Sequence, residues 1–410
     1  MIRVLVVDDS AFMRNAISSY LTQDAGIEVV GTARDGVDCL EKVKQLQPDV
    51  ITLDLEMPRM DGLETLKQLM STNPLPVIMI SSLTEFGAEA TLKAMEAGAM
   101  DFIPKTMAND KEAFGDEIRR KVKLLARRKA FIRLKYSSQR QSRKPSSPLP
   151  SASPASTTAA PHTSHFSSPT PPSSPRSGSG ISRSAGTGAL HGGSFSSGQS
   201  MATSTTAART VPTGTARCRG ARDIVVIGVS TGGPPVVQKI LSALPANLPA
   251  CILVAQHMPA SFTGPFAKRL DGVCALSVTE AVNGDKLVNG HVYICPGGRH
   301  IGVQMRGPLA EVLVTDEPKS ALYKPTVNLL METAGKCMGR RVLGVMLTGM
   351  GSDGVDGARV LKEKGGWLIA QSEATCVVYG MPKAVVDAGL ADQVVDADDI
   401  AEQIIAAVKG

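Results

Sequence analysis

The chain has 410 residues, 43% hydrophobic, 20% charged and 4% aromatic, an ordinary soluble composition long enough for two or three domains. Its seven cysteines are scattered without metal-binding spacing, which disfavours a disulfide scaffold or zinc module and points to a reducing, cytoplasmic setting. No apolar run approaches the roughly 18 residues of a membrane span, and MIRVLVVDDS meets two aspartates too early for a signal peptide.

The net charge of +6 suggests an acidic partner such as nucleic acid, but its distribution removes that reading. Residues 1–117 hold ten Lys/Arg against twenty Asp/Glu, and residues 221–410 hold seventeen against eighteen. The excess lies in 118–136, with nine basic residues and no acid, and in 137–220, with eight and no acid. The run Arg119–Lys135 reads mainly as a solvated helix face or linker lead-in, the other readings being a contact for acidic partner surfaces and, least of all, for nucleic acid.

In chain order, strands are predicted at Ile2–Val7, Val29–Ala33, Val50–Leu53, Val77–Ile80 and Asp101–Ile103. Amphipathic helices fit near 11–22, 36–46, 62–71, 87–97 and 110–135. Five such βα units predict a parallel, doubly wound domain over 1–125, its last helix running to about 136. Residues 137–220 follow, where Ser, Thr, Pro, Gly and Ala make up 62 of 84 positions; such a segment buries too little to offset its ordering entropy and is expected to be a disordered linker. Over 221–410, strands are predicted at Ile224–Val229, Cys251–Ala255, Val292–Cys295, Val342–Leu347 and Trp367–Ala370. Helices are predicted near 234–243, 325–336, 354–364 and 398–408, with hairpins over 283–315. This is a second α/β/α domain on a mostly parallel sheet.

Asp8 and Asp9 follow the first predicted strand, Asp54 the third and Lys105 the fifth. Strand ends on the carboxyl side of a parallel sheet line one crevice. Carboxylates converging there need a cation, and Mg²⁺ suits an all-oxygen set; the alternative is helix capping. VVDDS, DLEMPRMDG, MISS and DFIPK resemble the response-regulator receiver domain. The resemblance implies that Asp54 accepts a phosphoryl group, that Asp8 and Asp9 with Asp54 and the Glu56 carbonyl bind Mg²⁺, and that Lys105 contacts the phosphoryl group. Ser81 and Phe102 become the hydroxyl and aromatic switch residues.

In the second part, DIVVIGV runs into Ser230-Thr-Gly-Gly. A serine at a strand-to-helix turn can be a nucleophile, a phosphate-site residue or a cap; the absence of GxGxxG or a P-loop lysine weakens the nucleotide reading. His257 follows CILVAQ, and Asp353 lies in LTGMGSDG after VLGVML, so all three fall just past predicted strands. Their types fit a nucleophile, its base and an orienting carboxylate, with the glycine-rich TGMG exposing amides to an oxyanion. His291 reads as a turn histidine, and His300 as a loop or substrate-side residue. Asp353 as a mere cap stays open.

GVSTGGP, QHMP, FTGPFAKRL, CPGGRH, LTGMGSDG and EATCVVYGMP, in this order, resemble the catalytic domain of chemotaxis-specific protein-glutamate methylesterases. The resemblance implies Ser230 as nucleophile, His257 as base and acid, Asp353 as its partner and the Met350 amide in the oxyanion hole, with no cofactor for the ester reaction. It implies a phosphorylation-activated enzyme of a two-component system. The substrates would be glutamyl γ-methyl esters, and specific glutamines, on methyl-accepting chemotaxis receptors, and a chemotaxis histidine kinase would donate the phosphoryl group. A monomer without nucleic-acid or membrane-inserted partners is expected. The other readings are a receiver-controlled esterase for a different receptor, a DNA-binding output or a non-catalytic adaptor.

Thr326 and Asn328 in YKPTVN, and Ser372 in QSEAT, depart from the Ser, Asp and Asp anticipated there. They are expected to bear on substrate contacts rather than to touch the triad. The linker is longer than usual. The resemblance implies an unphosphorylated receiver that covers the esterase site; an unstructured 84-residue tether spans roughly 50 Å r.m.s. and, against a ~20-residue one, weakens that closure about ninefold, so more basal activity than in a short-linker relative is expected unless the closed interface compensates.

Overall fold

Ile2–Val7 (β1), Ile27–Ala33 (β2), Val50–Asp54 (β3), Val77–Ser81 (β4) and Asp101–Pro104 (β5) form a parallel sheet in the order β2-β1-β3-β4-β5. The computed structural model describes residues 1–82, 84–134 and 222–410. Strands β3, β4 and β5 are buried along their whole length, as expected where helices cover both faces of a parallel sheet. The helices are Ala11–Thr22 (α1), Gly36–Leu46 (α2), Gly62–Thr72 (α3), Glu85–Ala97 (α4) and Lys111–Ala126 (α5). Each starts at a short polar residue, Ser10, Asp35, Asp61, Thr84 or Asp110, whose side chain accepts the N–H three residues on.

The C-terminal part is built on a seven-stranded, all-parallel sheet. Its strands are Ile224–Val229 (β6), Cys251–Gln256 (β7), Ser277–Glu280 (β8), His291–Ile294 (β9), Val342–Met346 (β12), Trp367–Gln371 (β13) and Gln393–Val395 (β14), in the order β14-β13-β12-β6-β7-β9-β8. His300–Arg306 (β10) and Leu309–Thr315 (β11) make a separate antiparallel hairpin. Along β6, Val225, Ile227 and Val229 enter one apolar cluster while Ile224 and Val226 enter the other. Both faces are thus buried, which is why the strand is a continuous apolar run. Strand order reverses about β6, between β12 and β7, and ligand crevices form at such switch points beyond the carboxyl ends.

Six helices flank this sheet: Gly233–Ser242 (α6), Ala260–Asp271 (α7), Val327–Met338 (α8), Val355–Glu363 (α9), Met381–Asp387 (α10) and Ile400–Lys409 (α11). α7 and α10 were not anticipated. α7 carries Pro265 inside it, next to Gly264, and buries Phe262, Phe266 and Leu270 regardless, so packing overrides propensity. Of the segment 283–315, only β10 and β11 form a hairpin, while β9 joins the main sheet.

The expectation of a solvated basic helix holds for the exposed Arg127 and Arg133 and is corrected for the other described basic residues of the run, Lys135 lying outside them. Arg119 donates to the Tyr20 carbonyl, Lys123 pairs with Asp24 and Lys129 with Asp49. Lys121 is buried on Asp101, and Arg120 and Arg128 reach Met350 and the Val377 carbonyl. The acid-rich N-terminal part takes up much of this positive charge. The linker 137–220, and the closure argument from its length, lie outside the described residues. No described helix is long and apolar enough to cross a membrane.

Candidate active site

The N-terminal crevice gathers the expected carboxylates. One oxygen from each of Asp8, Asp9 and Asp54 lies within 4.8 Å of the others. Lys105 Nζ is 2.7 Å from Asp54 Oδ2 and 3.3 Å from Asp8 Oδ2. Burial pushes Asp54 up to about 6, aided by the charge of Asp8 and only partly offset by Lys105. Burial raises Asp8 likewise, while the two carboxylates hold Lys105 above its ordinary value. Capping does not explain this set: Ser10 caps α1, and Asp8 Oδ1 instead accepts the Ser10 N–H at 2.9 Å. Asp8 Oδ2 is buried, with the Lys105 ammonium at 3.3 Å as its neighbour. Three carboxylates converging within 4.8 Å, met by a single ammonium, form an all-oxygen donor set that fits Mg²⁺.

The side chains of the other receiver residues have partners of their own. The Glu56 carboxylate accepts from Ser82 Oγ at 3.1 Å. Ser81 Oγ donates to the Gly87 carbonyl and accepts from Thr91 Oγ1 at 2.7 Å, so the hydroxyl is engaged with α4. Phe102 stacks on Phe262 of α7, ring centroids 4.5 Å apart.

Ser230 follows β6, and its N–H donates to the Thr348 carbonyl at 3.0 Å. His257 follows β7; its N–H donates to the Val229 carbonyl and its Nε2 lies 2.8 Å from Asp353 Oδ2. His257 Nδ1 is buried with no partner. The Tyr323 ring lies flat on the imidazole, centroids 4.5 Å apart and 11° between planes. Gly349 passes so close that a Cβ there would sit 2.8 Å from Ser230 Cβ.

Asp353 does cap a helix, but not the one that follows it. Its carboxylate accepts the Val327 and Asn328 N–H groups at 2.7 and 3.2 Å, at the N-terminus of α8. In exchange, Asn328 Oδ1 accepts from Gly354 N and Gly357 N, at 3.0 and 2.9 Å, at the N-terminus of α9. Thr326 Oγ1 donates to Asp353 Oδ1 at 2.6 Å. Burial alone would raise this carboxyl, but the bonds from His257, Thr326 and Val327 outweigh it and hold Asp353 below its usual range. Thr326, through its hydroxyl, and Asn328, through its N–H, therefore both touch the Asp353 carboxylate, contrary to expectation; Ser372 is bonded to Asp396 instead. His300 is buried and accepts the Thr326 N–H on Nδ1 at 3.0 Å, so it braces the cradle. His291 pairs with Thr279.

Ser230, Thr231 and His257 line a cavity of about 440 Å³ whose other walls include Phe102, Glu117, Arg120 and Lys121 of the N-terminal part. Across this boundary Thr231 Oγ1 donates to Asp101 Oδ2 at 2.8 Å. Arg120 touches Met350 Sδ, and Arg269 forks onto Glu96, with Nε 2.7 Å from Oε1. Thr231, Asp101 and Tyr323 carried no signal in the sequence, because their roles arise from contacts between distant segments.

The pattern of the CheB methylesterase family matches residues 225–404, and that of the response regulator receiver domain matches 4–113. A protein-glutamate methylesterase/protein-glutamine glutaminase of Lawsonia intracellularis is 50% identical over 413 residues, covering 100% of this chain and 99% of its own. A second such protein, from Nitratidesulfovibrio vulgaris, is 52% identical over 408 residues, covering 99% of each. The crystal structure of the Thermotoga maritima CheB methylesterase catalytic domain is 41% identical, covering 45% of this chain and 98% of its own, with a TM-score of 0.44. With that identity sustained from end to end, the chain belongs to the receiver-linked CheB methylesterase family, the protein-glutamate methylesterases/protein-glutamine glutaminases.

Proposed function

We propose that the protein is a cytoplasmic, phosphorylation-activated hydrolase that demethylates glutamyl γ-methyl esters on chemotaxis receptors and deamidates receptor glutamines. The observation that carries this reading is the His257–Asp353 pair at 2.8 Å, which shares a cavity wall with Ser230 in a chain half identical to enzymes of that name. Asp353 engages Nε2, so Nδ1 is the nitrogen left to take the Ser230 proton. The deprotonated oxygen attacks the ester carbonyl carbon. The resulting oxyanion is met by backbone amides of the 349–351 loop, Met350 among them. Collapse breaks the ester C–O bond, or the C–N bond of an amide, and His257 gives its proton to the leaving methoxide oxygen or amide nitrogen, releasing methanol or ammonia. Water, deprotonated by His257, then hydrolyses the glutamyl-serine to glutamate. Asp353 stays ionised and stabilises the imidazolium.

In the receiver, Asp8, Asp9 and Asp54, with the Glu56 main-chain carbonyl, would hold Mg²⁺. When bound, the ion neutralises the carboxylates and the incoming phosphoryl oxygens. Asp54 accepts the group from a chemotaxis histidine kinase, and Lys105 pairs with it. The unphosphorylated receiver covers the esterase cavity, and phosphorylation shifts the population toward an open form. Methanol release from methylated receptor membranes, with and without acetyl phosphate and Mg²⁺, tests the reading. Activity should rise with the donor, stay at its basal level in Asp54→Asn and vanish in Ser230→Ala. Undiminished release by Ser230→Ala would refute it.

A further inference from the structure

Gln256 ends β7 and is 2% exposed. Its Nε2 donates to two main-chain carbonyls, that of Ser230 at 3.1 Å and that of His257 at 3.2 Å. These are the residues expected to act as nucleophile and base. They follow neighbouring strands that pair at Val229 and Gln256, just where the sheet's own hydrogen bonding runs out. With two acceptors facing it, the amide nitrogen must point this way. Its Oε1 is turned back against Gly233, buried and without a partner. A Cβ on Gly233 would lie 2.3 Å from that oxygen, so the second glycine of the STGG turn makes room for this side chain. The Ser230 carbonyl also accepts the Gly233 N–H at 2.9 Å; the glutamine thus completes the coordination of the nucleophile's own peptide.

We propose that Gln256 is a positioning residue for the hydrolysis: its single amide ties the backbones of Ser230 and His257 to each other and holds Oγ and Nδ1 in reacting register. The inference rests on the triad assignment above. It requires that removing the donor lowers turnover while leaving substrate binding alone, because a misplacement of about 1 Å at a reacting pair costs on the order of 10²-fold. Gln256→Met keeps the length of the side chain and deletes the donor. Gln256→Glu keeps the shape but can donate only while protonated, so its activity relative to the parent should climb as pH falls.

The full chain, activated with acetyl phosphate and Mg²⁺, is assayed in two ways. One is methanol release from methylated receptor membranes. The other is phosphonylation of Ser230 by a fluorophosphonate probe, followed by intact mass, with Ser230→Ala as the unlabelled control. Both variants should lose tenfold or more in kcat and in labelling rate with KM within threefold, and the Gln256→Glu to parent ratio should rise toward acid. Labelling of Gln256→Met within threefold of the parent, a loss confined to KM, or a Gln256→Glu ratio flat with pH would overturn the role. If Gln256→Met does not fold, the Gln256→Glu profile decides. A parent that labels at Ser230 yet releases no methanol would refute the methylesterase reading and leave the labelling comparison to judge Gln256.

Discussion

Thr326→Val should disable the enzyme without removing any member of the triad. The hydroxyl donates to Asp353 Oδ1 at 2.6 Å, and both residues are buried. A hydrogen bond to a charged group contributes about 1.5–3 kcal/mol, and each ~1.36 kcal/mol is tenfold in rate. If the bond serves to hold the carboxylate in line with His257, kcat should fall roughly ten- to a hundredfold with KM little changed. Thr326→Ser restores the donor and should stay within about threefold of the parent. Stability supplies a second readout. The folded-state value of Asp353 lies below the ordinary one, so its contribution is present at neutral pH and is lost only as acid protonates the folded carboxyl. The urea-unfolding deficit of Thr326→Val should therefore be seen at pH 7 and shrink in acid. Methanol release by the phosphorylated full chain, normalised to folded protein, gives the rates. Turnover within threefold of the parent in Thr326→Val would refute the reasoning.

Asp54 gives the opposite pH dependence. Its folded value of about 6 exceeds the ordinary 3.8, so in metal-free protein it costs stability as pH rises through that window, up to about 3 kcal/mol at neutral pH. Asp54→Asn should thus unfold at higher urea than the parent at pH 7.5 in EDTA and lose the advantage near pH 4; equal midpoints at both pH values would count against it. Reversing Glu96 to Arg should raise unphosphorylated activity up to about fivefold, since a partly exposed ion pair is worth about 0.2–1 kcal/mol. Adding Arg269→Glu should bring it back, and an unchanged basal rate in the single variant would argue against the closed form. Tyr323→Leu removes the ring stacked on His257 and should cost about two- to tenfold in kcat, whereas Tyr323→Phe should cost nothing.

The sequence is readable wherever one segment suffices to make the point. Runs such as VLVV of β1 and IVVIGV of β6 are buried on both faces and so appear as unbroken apolar stretches. Chemistry placed at their ends, as with Asp54, Ser230 and His257, follows from the rule that strand ends line a crevice. What could not be read depends on pairs of segments. Thr326 and Asn328 looked like substrate contacts because nothing local reveals that the starts of α8 and α9 exchange side chains through Asp353. Gln256 looked like one more strand residue until the register set it beside Val229. α7 was hidden by Gly264 and Pro265, although its buried phenylalanines hold it in place, and the basic run looked solvated because its partners lie far off along the chain.

Why the receiver can control this site follows from how the boundary contacts add up. The Phe102–Phe262 stack is worth about 0.5–1.5 kcal/mol beyond its burial. The Thr231–Asp101 hydrogen bond contributes about 0.5–3 kcal/mol and the Glu96–Arg269 pair about 0.2–1 kcal/mol. Together they amount to a few kcal/mol. Carrying a population from 1:99 to 99:1 takes about 5.5 kcal/mol, so no single contact is a sufficient lever. Two of these contacts, however, sit on adjacent residues of β5, Asp101 and Phe102, and the chain continues directly to Lys105, which holds Asp54 at 2.7 Å. A phosphoryl group that repositioned Lys105 would act on the same five-residue stretch that meets Phe262 and Thr231, the neighbour of Ser230. Were both lost together, the stack and the hydrogen bond would amount to about 1–4.5 kcal/mol, nearer than either alone to what a switch demands.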